Sequence, residues 1–307
     1  MAVAVPLGDC HQHLWSEPFI AALAARDRPP YVRHERGVPW LYCAGEPPYE
    51  IPLADEQPKR RLQELAADGL RFAALAISSP IGVEALPRAE AEPLIEAWLE
   101  GTLALPEGFL AWGPVALDRP RADDIDALIA RGCIGISIPA GALAGAARLR
   151  ELLPLLRRVS EHGVPLFVHP GRAPGQAAVP VTEDEPLWWR PLTDYVWQMQ
   201  AAWYTFAACG RPELPELKLL WTMLAGGAQL LHERFSARGG PRVDLHDPHS
   251  FYDTSSYGPE AITMTAGLVG ESQLIYGSDR PVVVPRISAS DRKYQQNAGR
   301  ILNQRGA

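Results

Sequence analysis

The chain has 307 residues, 47% of them hydrophobic, with a formal net charge of −7 and a pI near 5.7. That size supports one large core, and the acidic balance excludes a general nucleic-acid surface. No apolar run reaches the roughly 20 residues that cross a bilayer.

The four cysteines, Cys10, Cys43, Cys133 and Cys209, are scattered without a CxxC pair, so they read as reduced residues and not as a disulfide framework. Lysine is confined to Lys59, Lys218 and Lys293, and Lys59-Arg60-Arg61 reads as the solvated face of a helix. No basic segment precedes an apolar one at the N-terminus, so a secretory leader is not expected and a cytoplasmic location is.

In chain order, Ala2 to Leu7 is a short apolar run expected to form a strand, and Asp9-Cys10-His11-Gln12-His13 follows it. Strand side chains repeat on one face every second residue, so Asp9, His11 and His13 are expected to point the same way. Two such imidazoles lie close enough to grip one metal ion. A segment from about 15 to 58, rich in Pro and aromatics, is expected to be a long lid-like insertion with a short hairpin near Trp40–Tyr42.

Strand and helix patterns then alternate. Helices are expected over Gln57–Asp68, Ala89–Leu103, Arg121–Arg131, Ala146–His162, Leu187–Cys209, from Gly226-Gly227 to about Ala237, over Pro259–Val269, and over Asp291–Leu302. Strands are expected over Phe72–Ile77, Phe109–Leu117, Cys133–Ile138, Val164–Val168, Leu217–Thr222, His249–Thr254 and Ser272–Tyr276.

Eight alternating units imply a parallel sheet closed into a (β/α)₈ TIM barrel, forming a single domain over 1–307. No Gly-rich dinucleotide fingerprint follows the first strand, which disfavours an open doubly wound sheet. Active sites of such barrels lie at the C-terminal ends of the strands. His11 and His13 end strand one, His169 ends strand five and Asp279 ends strand eight, so four ligand types converge on one mouth.

The ordered set resembles the amidohydrolase-related family of metal-dependent TIM barrels, in the branch of aminocarboxymuconate-semialdehyde decarboxylase and related hydrolases. The matching residues are Asp9-Cys-His11-Gln-His13, Val168-His169-Pro-Gly, Gly277-Ser-Asp279-Arg-Pro281 and Asn297-Ala-Gly-Arg300-Ile-Leu. The resemblance implies one divalent ion, zinc by expectation, on His11, His13, His169 and Asp279. It also exposes a departure. The family carries an acid/base His on strand six in a His-x-Gly-Gly pattern, and Leu224 stands in that place here. Strand four offers no bridging Lys or Glu, so a mononuclear site is expected.

Zinc in such a site lowers the pKa of a bound water toward ~7. Asp279 is then the expected catalytic group, orienting that water and accepting its proton. Arg172 and Arg280 are the candidate forks for a substrate carboxylate, with surface ion pairs as the competing role. For the missing strand-six histidine, His34, His232, His246 and His249 are replacements by residue type alone, and His162 reads as a helix-dipole partner.

The leading expectation is hydrolysis of an ester, lactone or amide of a small carboxylate-bearing substrate. Metal-dependent non-oxidative decarboxylation is the alternative, and a catalytically silent ligand-binding barrel the second. The expected partner is a small molecule, without nucleic acid or membrane, and self-association is left open.

Overall fold

The computed structural model describes residues 5–182, 184–284 and 291–302. Eight parallel strands form one sheet: β1 (Gly8–Gln12), β5 (Phe72–Leu75), β6 (Phe109–Pro114), β7 (Gly135–Pro139), β8 (Leu166–His169), β9 (Leu219–Trp221), β10 (Ser250–Asp253) and β11 (Leu274–Ile275). Bridging of Gln12 to Arg280, with Cys10 N–H donating to the Tyr276 carbonyl and Asp279 N–H to that of His11, closes the sheet into the expected barrel.

Between the barrel strands stand α2 (Pro58–Ala67), α3 (Arg88–Leu103), α4 (Ala122–Ala130), α5 (Ala146–Glu161), a short α6 (Trp189–Leu192) with α7 (Asp194–Thr205), α8 (His232–Ala237), α9 (Pro259–Val269) and α10 (Arg292–Leu302). Two cores result. One fills the space between strands and helices, as in the packing of Leu149, Leu152, Leu156 and Val159 of α5. The other gathers Cys10, Phe72, Ala74, Ala76, Trp112, Phe167, Leu220 and Ile275, alternate residues of successive strands that turn into the barrel.

Three local expectations change. The first strand begins at Gly8, past the apolar run; residues 2–4 lie outside the described residues, and 5–7 are not strand. Pro6 has no N–H to give a ladder, whereas Gly8 lets the Phe72 ring pack where a Cβ would lie 2.0 Å from it. The insertion is no open loop. It holds α1 (Glu17–Ala24) and an antiparallel sheet of β2 (Tyr31–Glu35), β3 (Val38–Tyr42) and β4 (Tyr49–Glu50), which includes the expected hairpin. The long helix expected from Leu187 is broken at Thr193 and ends in a π-helical turn, Phe206–Gly210.

Candidate metal centre

The register of β1 against β5 shifts by one residue between Asp9 and Gln12. This bulge breaks the simple alternation, so the expectation that Asp9, His11 and His13 share a face is corrected. The Asp9 carboxylate accepts from the N–H of His11 and of Ser278 and from the Gln12 amide, and so ties β1 to the loop after β11. His11 and His13 alone turn to the mouth.

There they meet His169 and Asp279. One ligand atom from each of the four residues lies within 4.8 Å of all the others, a set able to hold a metal ion. The rings of His11, His13 and His169 are mutually near-perpendicular, at 88°, 90° and 84°, with centroids 5.0, 5.1 and 5.2 Å apart. Nε2 of His13 lies 3.2 Å from Nε2 of His11 and 3.1 Å from Asp279 Oδ1.

Each imidazole is fixed from behind at Nδ1: His11 by Asp253 Oδ2 at 2.6 Å, His13 by the Ala76 carbonyl at 2.8 Å, and His169 by the Pro170 carbonyl at 2.9 Å. Carbonyl acceptors require a proton on Nδ1 of His13 and His169, which leaves Nε2 as a bare lone pair. The 3.2 Å between Nε2 of His11 and Nε2 of His13 is bridged by a proton on His11 or by a metal ion that takes that proton's place. The donor set fits a divalent ion: three imidazole nitrogens, each ring oriented by a second hydrogen bond at Nδ1, and a carboxylate.

Charge agrees. Burial disfavours a charged His11, but Asp253, Asp279 and Asp9 outweigh it and raise its pKa to about 8. Burial, with His11 and His13 alongside, pushes His169 well below the ordinary imidazole value. Burial resists ionisation of Asp279 too, yet the histidines around it hold its pKa below the usual carboxylate range. Its side chain is 13% exposed, against 1% and 2% for those of His11 and His13, so Asp279 looks into the mouth.

Two supporting residues were not singled out from the sequence. Asp253, at the end of β10, is fully buried; besides His11 it accepts from the N–H of Met223 and from both N–H and hydroxyl of Ser255. Its signal was a carboxylate ending an apolar strand. A Cβ at Gly277 would lie 2.8 Å from Asp253 Oδ2 and 2.9 Å from His11 Cβ, so only glycine leaves room for that pair. Arg61, expected on a solvated face, is instead 2% exposed and donates to the His13 carbonyl and to Gln12. Helical periodicity turns this one residue of the basic trio inward.

The remaining predicted residues separate. Arg172 is half-buried beside Gly82, where an added Cβ would lie 3.0 Å from its guanidinium, and it makes no hydrogen bond or ion pair among the described residues. Arg280 is forked onto Glu64 of α2 and Asp68 just past its end, each at 2.9 Å, which corrects its expected role at substrate. His34 is exposed on β2. His232 and His246 are bonded at Nδ1 to the carbonyls of Gln229 and Val269, His249 faces Glu216, and His162 pairs with Asp126 at 2.6 Å. None of these histidines belongs to the cluster.

The strand-six turn offers no ionisable side chain. Met223 to Gly227 run consecutively in the left-handed region, with φ between 48° and 71°. The expected helix therefore does not open at Gly226; a left-handed turn and a short 3₁₀ stretch precede α8. Leu224 is buried, packed in the outer core.

No family model matches the chain, and no curated protein does. Solved structures do. IDCase from Metarhizium anisopliae is 15% identical over 95% of this chain and 90% of its own, with a TM-score of 0.75. 5-Carboxyvanillate decarboxylase from Sphingomonas paucimobilis is 14% identical over 97% and 99%, with a TM-score of 0.70. A 5-carboxyvanillate decarboxylase from Novosphingobium aromaticivorans, solved with manganese and 4-hydroxy-3-methoxy-5-nitrobenzoic acid, is 19% identical over 80% and 79%, with a TM-score of 0.63.

These likenesses show the fold: the barrel is the one these solved structures share. They overturn the expectation of ester, lactone or amide hydrolysis, because decarboxylases predominate among the neighbours. The loss of one proton carrier at strand six says nothing about carriers on other elements around the mouth.

Proposed function

We propose that this barrel is a metal-dependent non-oxidative decarboxylase of a small carboxylic acid, with an aromatic acid as the first class to try. The observation that carries the reading is the convergence of three imidazoles and one carboxylate on one point, within a fold shared with decarboxylases. His11, His13, His169 and Asp279 would hold one divalent ion. Zinc suits the nitrogen-rich set, and manganese in a neighbour makes it the competing ion. The ion supplies positive charge that binds and polarises an anionic substrate group.

The chain's own residues supply the rest. Asp253 and the two backbone carbonyls hold the imidazoles in one tautomer, so the cradle is formed before substrate arrives. Asp279 is the catalytic residue of this reading, because it is the ligand with a side chain open to the mouth. Arg172 follows His169-Pro170-Gly171 directly and has no hydrogen-bond acceptor among the described residues, so its guanidinium is available to fork onto a substrate carboxylate. Arg280 has no such freedom.

Carbon dioxide release from a panel of benzoic and dienoic acids, with zinc- and manganese-loaded enzyme, tests the reading. Release from at least one acid, abolished by chelation, is expected. No release from any acid with either metal would defeat it.

A further inference from the structure

A cavity of about 340 Å³ lies between the end of α7 and the strands β9 and β10, in the layer that separates strands from helices. Its size is within the range of small-molecule sites. It opens beside the segment that leads into β10, where Arg242, Asp244 and Asp247 line it. None of its lining residues belongs to the metal cluster at the strand ends.

The walls are aromatic. Trp203, Phe206, Trp221 and Tyr252 line the cavity, each at most 3% exposed. The Trp203 indole N–H donates to the Tyr252 hydroxyl at 3.1 Å, and Phe206 meets Trp221 edge to face with ring centroids 6.2 Å apart. The π-helical turn at the end of α7 keeps the space open; such turns recur at functional sites. It sets the Phe206 ring against Gly210, where an added Cβ would lie 2.5 Å from it, and the Arg211 guanidinium covers the ring at 5.2 Å. With Phe206 pinned there, the slot admits a flat ring that can meet the walls face or edge on.

Two features mark the guest. Trp221 lines the cavity, and its buried indole N–H meets no acceptor among the described residues. Buried donors without a partner are rare, so the guest should bring an acceptor. Charge at the opening is balanced as well. Arg211 is fully used: it pairs with Asp247 at 2.9 Å and donates to the carbonyls of Leu214, Pro215 and Leu217. Arg242 and Asp244 remain, both exposed. Arg242 has no partner among the described residues, and the Asp244 carboxylate accepts the His246 N–H but faces no cation there. One free cation and one free anion, two positions apart on one segment, complement a guest with one charge of each sign.

We propose that this cavity is a second ligand site, built for a zwitterionic aromatic amino acid whose ring carries an acceptor. The ring enters between the aromatic walls and its acceptor takes the Trp221 N–H. The carboxylate meets Arg242 and the ammonium meets Asp244. The site does not depend on which reaction the metal centre performs.

Calorimetric titration of the metal-loaded protein with L-tyrosine tests the site. Saturable binding of one molecule per chain is expected. Tyramine lacks the carboxylate, 3-(4-hydroxyphenyl)propionate lacks the ammonium and L-phenylalanine lacks the ring oxygen; each should bind roughly 10-fold more weakly. Arg242→Gln changes an exposed residue, so its fold is not at risk. It should reduce tyrosine to the level of tyramine and leave tyramine unchanged. Trp221→Phe should reduce tyrosine to the level of phenylalanine. His169→Ala should bind tyrosine as wild type does. No saturable binding of L-tyrosine at millimolar concentration overturns the site and leaves a cavity that holds water only. Tyrosine binding undiminished in Arg242→Gln overturns it too, and binding lost in His169→Ala would seat the ligand at the metal centre instead.

Discussion

The ends of β1, β8 and β11 and the end of β9 face the same mouth, yet they serve it in opposite ways. The first three deliver ionisable side chains, with each imidazole held from behind by a second hydrogen bond. The end of β9 delivers none and instead holds Met223, Leu224, Ala225, Gly226 and Gly227 in left-handed backbone. Left-handed geometry costs roughly 1–2 kcal/mol per non-glycine residue, so Met223, Leu224 and Ala225 together store about 3–6 kcal/mol. Such strain persists only where the surroundings over-determine it. Here the turn places the Met223 N–H on Asp253, 2.9 Å away, and Asp253 holds His11. Strand six therefore acts on the metal centre through its backbone, as a brace, while strands one, five and eight act through side chains.

Substitutions can break that division from either side. The largest effect is expected from His169→Ala, which removes a ligand at a strand end whose backbone stays as it is. Metal and activity should be lost together, to background, while the circular dichroism of the fold is retained; an active, metal-replete variant would remove His169 from the site. Asp253→Asn comes next, because it weakens the link between the brace and His11. Metal affinity should fall about 10–100-fold by competition with a chelator, the range for lost outer hydrogen bonds to ligands.

Gly226→Ala attacks the brace itself. The added Cβ would lie 2.8 Å from the Val196 carbonyl at a φ of +62°. The expected loss is about 2–3 kcal/mol of stability in denaturant melts, with weaker metal binding as a consequence. Unaltered stability would show that the turn is not held against α7. The smallest change in rate is expected for Leu224→His. It buries an imidazole in the outer core at a cost of about 1–3 kcal/mol and should leave kcat within a few-fold of wild type. A large gain in rate would mean that strand six still addresses the mouth through its side chain.

The same division explains what the sequence shows and what it hides. Ligands at strand ends are legible because periodicity and loop signals place His11, His13, His169 and Asp279 without any knowledge of packing. The parallel barrel is legible for the same reason, from alternating strand and helix patterns. Asp253, Arg61 and the left-handed turn are not, because their roles depend on partners far along the chain: His11 for Asp253, the His13 carbonyl for Arg61, Asp253 for Met223. Arg280 misleads in the reverse direction. It sits beside a ligand in sequence, but its side chain leaves the barrel for Glu64 and Asp68. Asp9 misleads through the bulge in β1, which undoes the alternation on which its placement rested. The reaction type is not legible from the ligands, since a bound ion can activate a water or polarise a substrate carboxylate from the same donor set.

The central claim, that these four residues hold one cation, is tested most directly by anomalous scattering from crystals of protein reconstituted with zinc or manganese. The account predicts a single peak bonded by Nε2 of His11, His13 and His169 and by a carboxylate oxygen of Asp279, at roughly 2.0–2.2 Å for zinc. A peak bonded by other residues, or none at this cluster after reconstitution with either metal, would contradict it.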